Sequence, residues 1–126
     1  MKKLILVLTL ILSISPAYAE WVKYSTTDDS ETSLFLDPNT IRRNGNSVLI
    51  WTLQDFKKVK NGDLSMKLRV KIECKEETVQ IISLVAHSEN MGKGKITVSG
   101  SGKGKPQYIV PDSSGEELWK LACNIK

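Results

Sequence analysis

The chain has 126 residues, of which 40% are hydrophobic and 25% are charged, and its formal net charge is +4. These values are typical of a folded globular protein. The length allows one domain with a modest core and excludes two independent cores. Lys2 and Lys3 contribute half of the excess charge, which falls to about +2 without them.

Residues 1–19 have the three parts of a cleavable Sec-type signal peptide. A positively charged start is followed by a largely apolar run at 4–14, and Ala17-Tyr18-Ala19 places small residues where signal peptidase cleaves. The apolar run is too short for a membrane span, which needs about 20 residues. We therefore expect a single domain at 20–126, no transmembrane segment after cleavage, and a location in the periplasm or at the cell surface.

Period-two patterns, which are typical of β-strands, dominate the rest of the sequence. Asp37-Pro38-Asn39-Thr40 predicts a turn, and Asn61-Gly62-Asp63 predicts a hairpin. Strand patterns occur at 20–24, 33–37, 47–56, 64–74, 78–88, 95–99 and 107–110. We expect the last two segments to pair with each other across the glycine- and lysine-rich stretch between them.

The pattern at 64–74 is the clearest. Apolar residues alternate there with Lys67, Arg69, Lys71 and Glu73, so one face of the strand is apolar and the other is charged. Such alternation is typical of an antiparallel sheet with one solvated face. Cys74 falls on the apolar face.

The period changes to that of a helix near the C-terminus. Ser114 stands three residues before Glu117, which is the spacing of a capping box. Leu118, Leu121, Ala122 and Ile125 then recur at helical intervals. The predicted fold class is therefore α+β, with an antiparallel sheet of about six strands and one C-terminal helix packed on its apolar face.

Cys74 and Cys123 are the only cysteines. In an oxidising compartment two thiols of a small domain are expected to pair, which would close the fold with a disulfide between the sheet and the end of the helix. Two separate buried thiols are the alternative. A metal site built on these thiolates would need further ligands, and His87 is the only histidine.

Motifs for catalysis are weak or missing in the sequence. It has no Gly-x-Ser-x-Gly turn, and no cysteine is expected to be free as a nucleophile. His87, near the end of a predicted strand, is interpreted as a structural or solvent-edge residue. The acid pairs Asp28-Asp29 and Glu76-Glu77 lie in predicted loops, where carboxylates usually remain solvated. We expect no enzymatic activity, no metal and no cofactor.

Lys67, Arg69 and Lys71, with Lys57 and Lys58 nearby in sequence, form the most suggestive surface feature. They could bind an acidic polymer or an acidic protein segment. Alternatively, these side chains only keep the solvated face of the sheet soluble. Nucleic acid is not an expected partner, because no aromatic residues are interleaved with the lysines.

Three tryptophans, Trp21, Trp51 and Trp119, are interpreted mainly as core anchors. A second hypothesis is that they line an apolar pocket between the sheet and the helix. In that case the protein would be a periplasmic carrier of a small hydrophobic ligand.

Four groups of residues together resemble the surface-adhesin protein E-like family of exported bacterial proteins. In chain order they are Glu20-Trp21-Val22-Lys23, the stretch 37–46 that leads to Val48 and Trp51, Asn90-Met91-Gly92, and Pro111-Asp112-Ser113 with Glu117-Leu118-Trp119-Lys120 and Ala122-Cys123. The resemblance covers essentially all of residues 20–126.

The resemblance implies a six-stranded antiparallel sheet with a helix fixed to it by a Cys74–Cys123 disulfide. It also implies a non-enzymatic binding module of the bacterial envelope, since named members of the family are adhesins for host matrix and plasma proteins such as laminin and vitronectin. It supplies no catalytic residues.

Overall fold

The computed structural model describes residues 20–102 and 104–125. Within them it has one antiparallel sheet and one α-helix. The strands are β1 (Val22–Thr26), β2 (Thr32–Leu36), β3 (Arg42–Asn44), β4 (Ser47–Lys60), β5 (Asp63–Glu73), β6 (Thr78–His87), β7 (Ile96–Ser101) and β8 (Gln107–Tyr108); the helix is α1 (Ser114–Ala122). The predicted signal peptide at 1–19 lies outside the described residues.

The sheet has eight strands, so the prediction of about six is wrong in number. Six of them lie side by side in the order β1-β2-β4-β5-β6-β7. The other two are short and share a neighbour with a longer strand: β3 pairs with β4 beyond the end of β2, and β8 pairs with β6 beyond the end of β7. Each short strand therefore pairs with the part of a long strand that the neighbouring longer strand leaves unpaired.

Two turns were predicted correctly from sequence. Lys60 pairs with Asp63, so Asn61 and Gly62 form a two-residue hairpin loop between β4 and β5. Both loop residues have positive φ, at 52° and 84°, which Asn and Gly tolerate best in this position. Residues Pro38–Thr40 form a single 3-10 turn, capped by the Asp37 side chain, which accepts from the backbone N–H of Asn39 at 3.0 Å.

The expected pairing of the last two strands is wrong. Both β7 and β8 pair with β6 instead of with each other, at opposite ends of that strand. The edge of the long strand β6 that does not pair with β5 is free along its whole length, so it can pair with both segments. After β7, the N–H of Gly102 donates to the carbonyl of Ile82 and keeps the chain beside β6. Local sequence pattern cannot distinguish these two arrangements.

A core of apolar side chains lies on the side of the sheet that carries α1. It is formed by alternate residues of the two central strands and by two residues of the helix, namely Val48, Ile50, Leu68, Val70, Ile72, Leu118 and Ala122, together with Leu36 of β2. The alternation follows from the two-residue period of a strand. Leu118 and Ala122 are four residues apart and so share one helix face.

The helix is capped by Ser113, one residue before the predicted capping serine, Ser114. Ser113 Oγ accepts from the backbone N–H of Glu116 at 3.3 Å. Glu116 reaches back to accept from the backbone N–H of Asp112 at 2.7 Å, and it pairs with Lys120 at 3.1 Å on the next turn. Ser113 stands three residues before Glu116, which is the same spacing as that of Ser114 and Glu117, and the structure uses the Ser113 spacing.

The predicted disulfide between Cys74 and Cys123 is present, with Cα atoms 5.8 Å apart. Cys74 follows β5 and Cys123 follows α1, so the bond fixes the end of the helix to the end of a central strand. Trp119 Nε1 also donates to the carbonyl of Cys74 at 3.0 Å. Helix and sheet are therefore joined by a covalent bond and a hydrogen bond at one place.

Candidate binding face

The face of the sheet opposite α1 combines charged and apolar residues. On β5 it carries Lys67, Arg69 and Lys71, whose partners in register on β4 are Leu53, Trp51 and Leu49. The β4 residues face this side because Val48 and Ile50, with which they alternate, point into the core. The charged face of β5 is therefore flanked by an apolar strip, because β4 is apolar on both of its faces.

The basic stripe, defined here as Lys67, Arg69 and Lys71, is partly neutralised at one end. Lys71 pairs with Glu73 at 3.2 Å. Hydrogen bonds from Ser47 Oγ, and then the contact with Lys71, lower the pKa of Glu73. Among residues 20–102 and 104–125, no carboxylate lies within ion-pair distance of Lys67 or Arg69. The excess positive charge of the stripe is therefore at Lys67 and Arg69.

Lys57 and Lys58 do not adjoin the stripe. The register pairs Lys67 with Leu53, and Lys57 lies further along β4, about 13 Å away at the rise of a strand. Lys58 is strongly exposed and pairs with Glu31 at 3.6 Å. The five basic residues singled out from sequence thus fall into two groups on the sheet.

A cavity of about 310 Å³ opens on this face, between the turn Pro38–Thr40 and strands β4 to β7. Its apolar lining comes from Trp21, Trp51, Val85 and Ile96. Its polar lining comes from Asp37, Thr40, Lys67 and His87. We call it the tryptophan cavity.

The turn Pro38–Thr40 is held in place by the backbone of Trp51. Trp51 donates its N–H to Thr40 Oγ1 at 3.0 Å, and its carbonyl accepts from the N–H of Asp37 at 3.0 Å. Asp37 is itself buried. One wall of the tryptophan cavity is therefore fixed to β4 by two hydrogen bonds of the Trp51 main chain.

The turn Asn90–Gly92 closes the neighbouring part of the face. Ser65 Oγ donates to the carbonyl of Glu89 at 2.6 Å and accepts from the N–H of Gly92 at 2.9 Å. Gly92 has φ of 71°, and a Cβ there would lie 2.5 Å from Lys67 Cε. The absence of a side chain at Gly92 lets the Lys67 chain lie against the backbone, beside the buried Leu53.

His87 is 4% exposed, at the end of β6. Its interpretation as a structural residue agrees with this burial, whereas a position at the solvent edge does not. Neither ring nitrogen makes a hydrogen bond within the described part of the chain. Burial, and then the positive charge of Lys67, lower the pKa of His87, while the Gly94 backbone and Asp63 act in the opposite direction.

The three tryptophans are divided between two places. Trp21 and Trp51 line the tryptophan cavity, whereas Trp119 packs against the core and hydrogen-bonds to Cys74 on the other side of the sheet. Trp119 lines a separate cavity beside the helix, whereas the cavity that contains two tryptophans lies on the face opposite the helix. The alternation of Trp51 with core residues Ile50 and Thr52 is the sequence signal that could have placed it there.

Groups of at least three metal-ligating side chains do not occur within residues 20–102 and 104–125. In the same part of the chain, α1 is too short to span a bilayer, and no other helix has the length or hydropathy for a crossing.

The family model described as Surface-adhesin protein E matches residues 21–124. No curated protein is significantly similar to the sequence. Two structures of protein E from Haemophilus influenzae are similar in fold. The alignment with the first has a TM-score of 0.67 and 12% sequence identity, and it covers 81% of this chain and 83% of the protein E chain. The alignment with crystal form II has a TM-score of 0.62 and 13% identity, and it covers 84% of this chain and 97% of the protein E chain. At these identities the likeness concerns the fold.

Proposed function

The chain belongs to the surface-adhesin protein E family, and from this membership we propose that it is a non-enzymatic, adhesin-like binding module of the bacterial cell envelope. In this proposal the basic stripe binds an acidic partner, either an acidic polymer or an acidic segment of a host matrix protein. The family match over nearly all of the described chain supports the adhesin-like role. We assign the contact surface to the stripe because of its charge.

The unpaired positive charges of the stripe support this assignment. Lys67 and Arg69 are two residues apart on β5 and so lie on the same face of the strand. Among the described residues neither has a carboxylate within ion-pair distance, whereas the neighbouring Lys71 forms an ion pair with Glu73. A cation that is already paired gains little from an acidic partner, whereas an unpaired one contributes its full screened attraction. We expect Lys67 and Arg69 to contribute most of the affinity.

Apolar neighbours add to this surface. Leu49 and Trp51 flank the stripe on β4 and are half-buried, so an acidic segment with an apolar residue could contact both. Tryptophan and arginine are the residue types most enriched among energetically important interface contacts. Arg69 and Trp51 are partners in register, which places both types at one point of the face.

Charge reversal tests the proposal. We expect Lys67→Glu, Arg69→Glu and Lys71→Glu together to abolish binding to immobilised heparin, laminin and vitronectin, because attraction is replaced by repulsion. Binding by the wild type should also weaken as salt is raised. A matched variant, Arg43→Glu, Lys75→Glu and Lys105→Glu, makes the same change of charge at exposed positions outside the stripe and should retain binding. Affinities are measured by biolayer interferometry.

A separate variant, Lys57→Glu with Lys58→Glu, determines whether the second basic group takes part. Equal binding by the stripe variant and the matched control, with unchanged melting temperatures, would rule out the stripe as the contact surface. Adhesion further requires that the chain be reached from outside. Protease added to intact cells should therefore cleave it, and protection until the outer membrane is opened would restrict its partners to the periplasm.

A further inference from the structure

We propose that the tryptophan cavity is a binding site for a small amphipathic carboxylate, with its apolar body against Trp21 and Trp51 and its carboxylate paired with Lys67. This site is distinct from the contact with a large acidic partner proposed above. The two share Lys67 and Trp51, whereas Arg69 belongs to the stripe alone, so a variant at Arg69 separates failure of one site from failure of the other.

The size and walls of the cavity define the apolar part of the ligand. A volume of about 310 Å³ lies at the lower end of the range of roughly 300–1,000 Å³ for small-molecule sites. Two indoles and two aliphatic side chains supply the walls, which is the composition that such sites favour. A medium-length acyl chain or a single aromatic ring with a short tail fits these dimensions.

The charged groups of the lining define the polar part. Asp37 is already engaged as the cap of the turn Pro38–Thr40, through its hydrogen bond from Asn39, and it is buried. Lys67 has no carboxylate within ion-pair distance in the described residues. Its aliphatic chain lies against the backbone at Gly92 and lines the cavity, so less side-chain freedom is lost when it pairs with a ligand. Lys67 is a cation without an ion-pair partner among the described residues, so we expect the ligand that pairs with it to be an anion.

His87 is a second, independent indication of a ligand. Buried polar atoms in proteins almost always have a hydrogen-bond partner. Among the described residues neither nitrogen of this ring has a hydrogen bond of normal geometry, and the Gly94 backbone makes only a contact that falls short of one. The ring lines the same cavity as Lys67, and the positive charge of Lys67 acts on it directly. A carboxylate bound at Lys67 lies beside the imidazole, whose protonated nitrogen is a hydrogen-bond donor.

Three probes with the same ten-carbon chain and different head groups test this site: decanoate, decanol and decyltrimethylammonium. Binding is followed by the NMR signals of the three indole N–H groups. We expect decanoate to shift the signals of Trp21 and Trp51. The signal of Trp119 should not move, because that indole N–H is bonded to Cys74 on the other side of the sheet. Decanol should bind at least about tenfold more weakly, since it lacks the ion pair.

Two variants test the role of charge independently. Lys67→Met keeps the aliphatic chain and should weaken decanoate binding about tenfold or more, with little effect on decanol; Arg69→Met, next along the stripe, is the matched control. Ile96→Glu places a carboxylate at the rim, on a side chain that is 62% exposed, and should also repel decanoate. Val98→Glu is its control, because Val98 is similarly exposed and pairs with Ala86, whose side chain faces the other side.

Several results would overturn the proposal. One is binding of decyltrimethylammonium that is as tight as that of decanoate, or tighter. Another is the absence of any shift in the indole N–H signals of Trp21 and Trp51 when decanoate is added. The third is an equal loss of decanoate binding in a test variant and its matched control. Loss of heparin binding in the stripe variant, with decanoate binding kept by Arg69→Met, would separate the two sites.

Discussion

His87 illustrates how the environment of a single residue is set by its neighbours in the sheet. It pairs in register with Ser65 on β5, which itself is fully buried and bonded to the turn Asn90–Gly92. That turn and β7 enclose the imidazole, so its charged form would lose its hydration. Lys67, two residues along β5 from Ser65, adds repulsion. Both effects lower the pKa of His87 and favour the neutral ring.

This shift predicts a loss of stability at mildly acid pH. The unfolded chain binds a proton at His87 below its ordinary pKa of about 6.5, while the folded chain does not until the pH is lower. The free energy of unfolding should therefore fall as pH is lowered from about 7.5 to about 5.5, a window in which no other histidine titrates. His87→Leu should remove this part of the pH dependence. Thermal melts of both proteins at the two pH values measure it.

The groups that face His87 from neighbouring elements are Lys67 on β5, Asp63 at the start of β5 and the Gly94 backbone. Asp63 is engaged by the Thr97 hydroxyl, so its charge is already compensated in part. An NMR titration of the His87 ring gives the pKa directly. A value at or above the ordinary one, or the same pH dependence in His87→Leu, would contradict this account.

At the level of single elements, the helix α1 depends on its ends because it has only nine residues. Isolated helices of this length are unstable in water, so capping and packing must hold it. Ser113 satisfies one of the free backbone N–H groups, and Glu116 and Glu117 place negative charge in the first turn. The helix end is held by the disulfide at Cys123.

Neighbouring serines allow a controlled test of the cap. Ser113→Ala should lower the free energy of unfolding by about 1 kcal/mol, because the N–H of Glu116 loses its side-chain acceptor and keeps only the Ser113 carbonyl. Ser114→Ala should change it by only a few tenths of a kcal/mol, since Ser114 is the first helical residue and alanine is favourable there. Urea unfolding of both variants measures the difference. The reverse order of effects would place the cap at Ser114.

Elements with a strong local period were predictable from sequence. The strand β5, the Asn61-Gly62 hairpin and the C-terminal helix each carry their own signal, and all three are present. The strand β3 has only three residues, too few for a pattern to appear, and of the predicted strand at 107–110 only Gln107 and Tyr108 are paired as β8. The pairing of β7 and β8 with β6 depends on contacts between distant parts of the chain, which a local pattern does not contain.

The candidate site could be predicted only in part, for a related reason. Alternation along β5 correctly identified Lys67, Arg69 and Lys71 as residues of one face. It contained no information on what lies beside them, namely Trp51 and Leu49 on β4 and Val85 on β6. The tryptophan cavity is built from residues of six separate segments, from Trp21 to Ile96. Its position follows from register and from the turn bonded to Trp51.

For the molecule as a whole, the two sides of the sheet carry different features. The side with α1 holds the apolar core and the disulfide. The other side carries the basic stripe and the tryptophan cavity, whose turns are fixed by hydrogen bonds from Trp51 and Ser65. Neither set of hydrogen bonds involves the helix. The binding face should therefore keep its geometry when the helix side is weakened, as long as the sheet is folded.

Removal of the disulfide tests this separation. Closing a loop of 49 residues stabilises the fold by about 4 kcal/mol in the chain-entropy model, which is a large share of the roughly 5–15 kcal/mol typical of a domain. Cys74→Ala with Cys123→Ala should lower the free energy of unfolding by about that amount, and reduced wild-type protein should behave similarly. Below its melting temperature the double variant should nevertheless bind heparin and decanoate as the wild type does. Loss of either ligand from protein that is still folded would mean that the helix side also shapes the binding face.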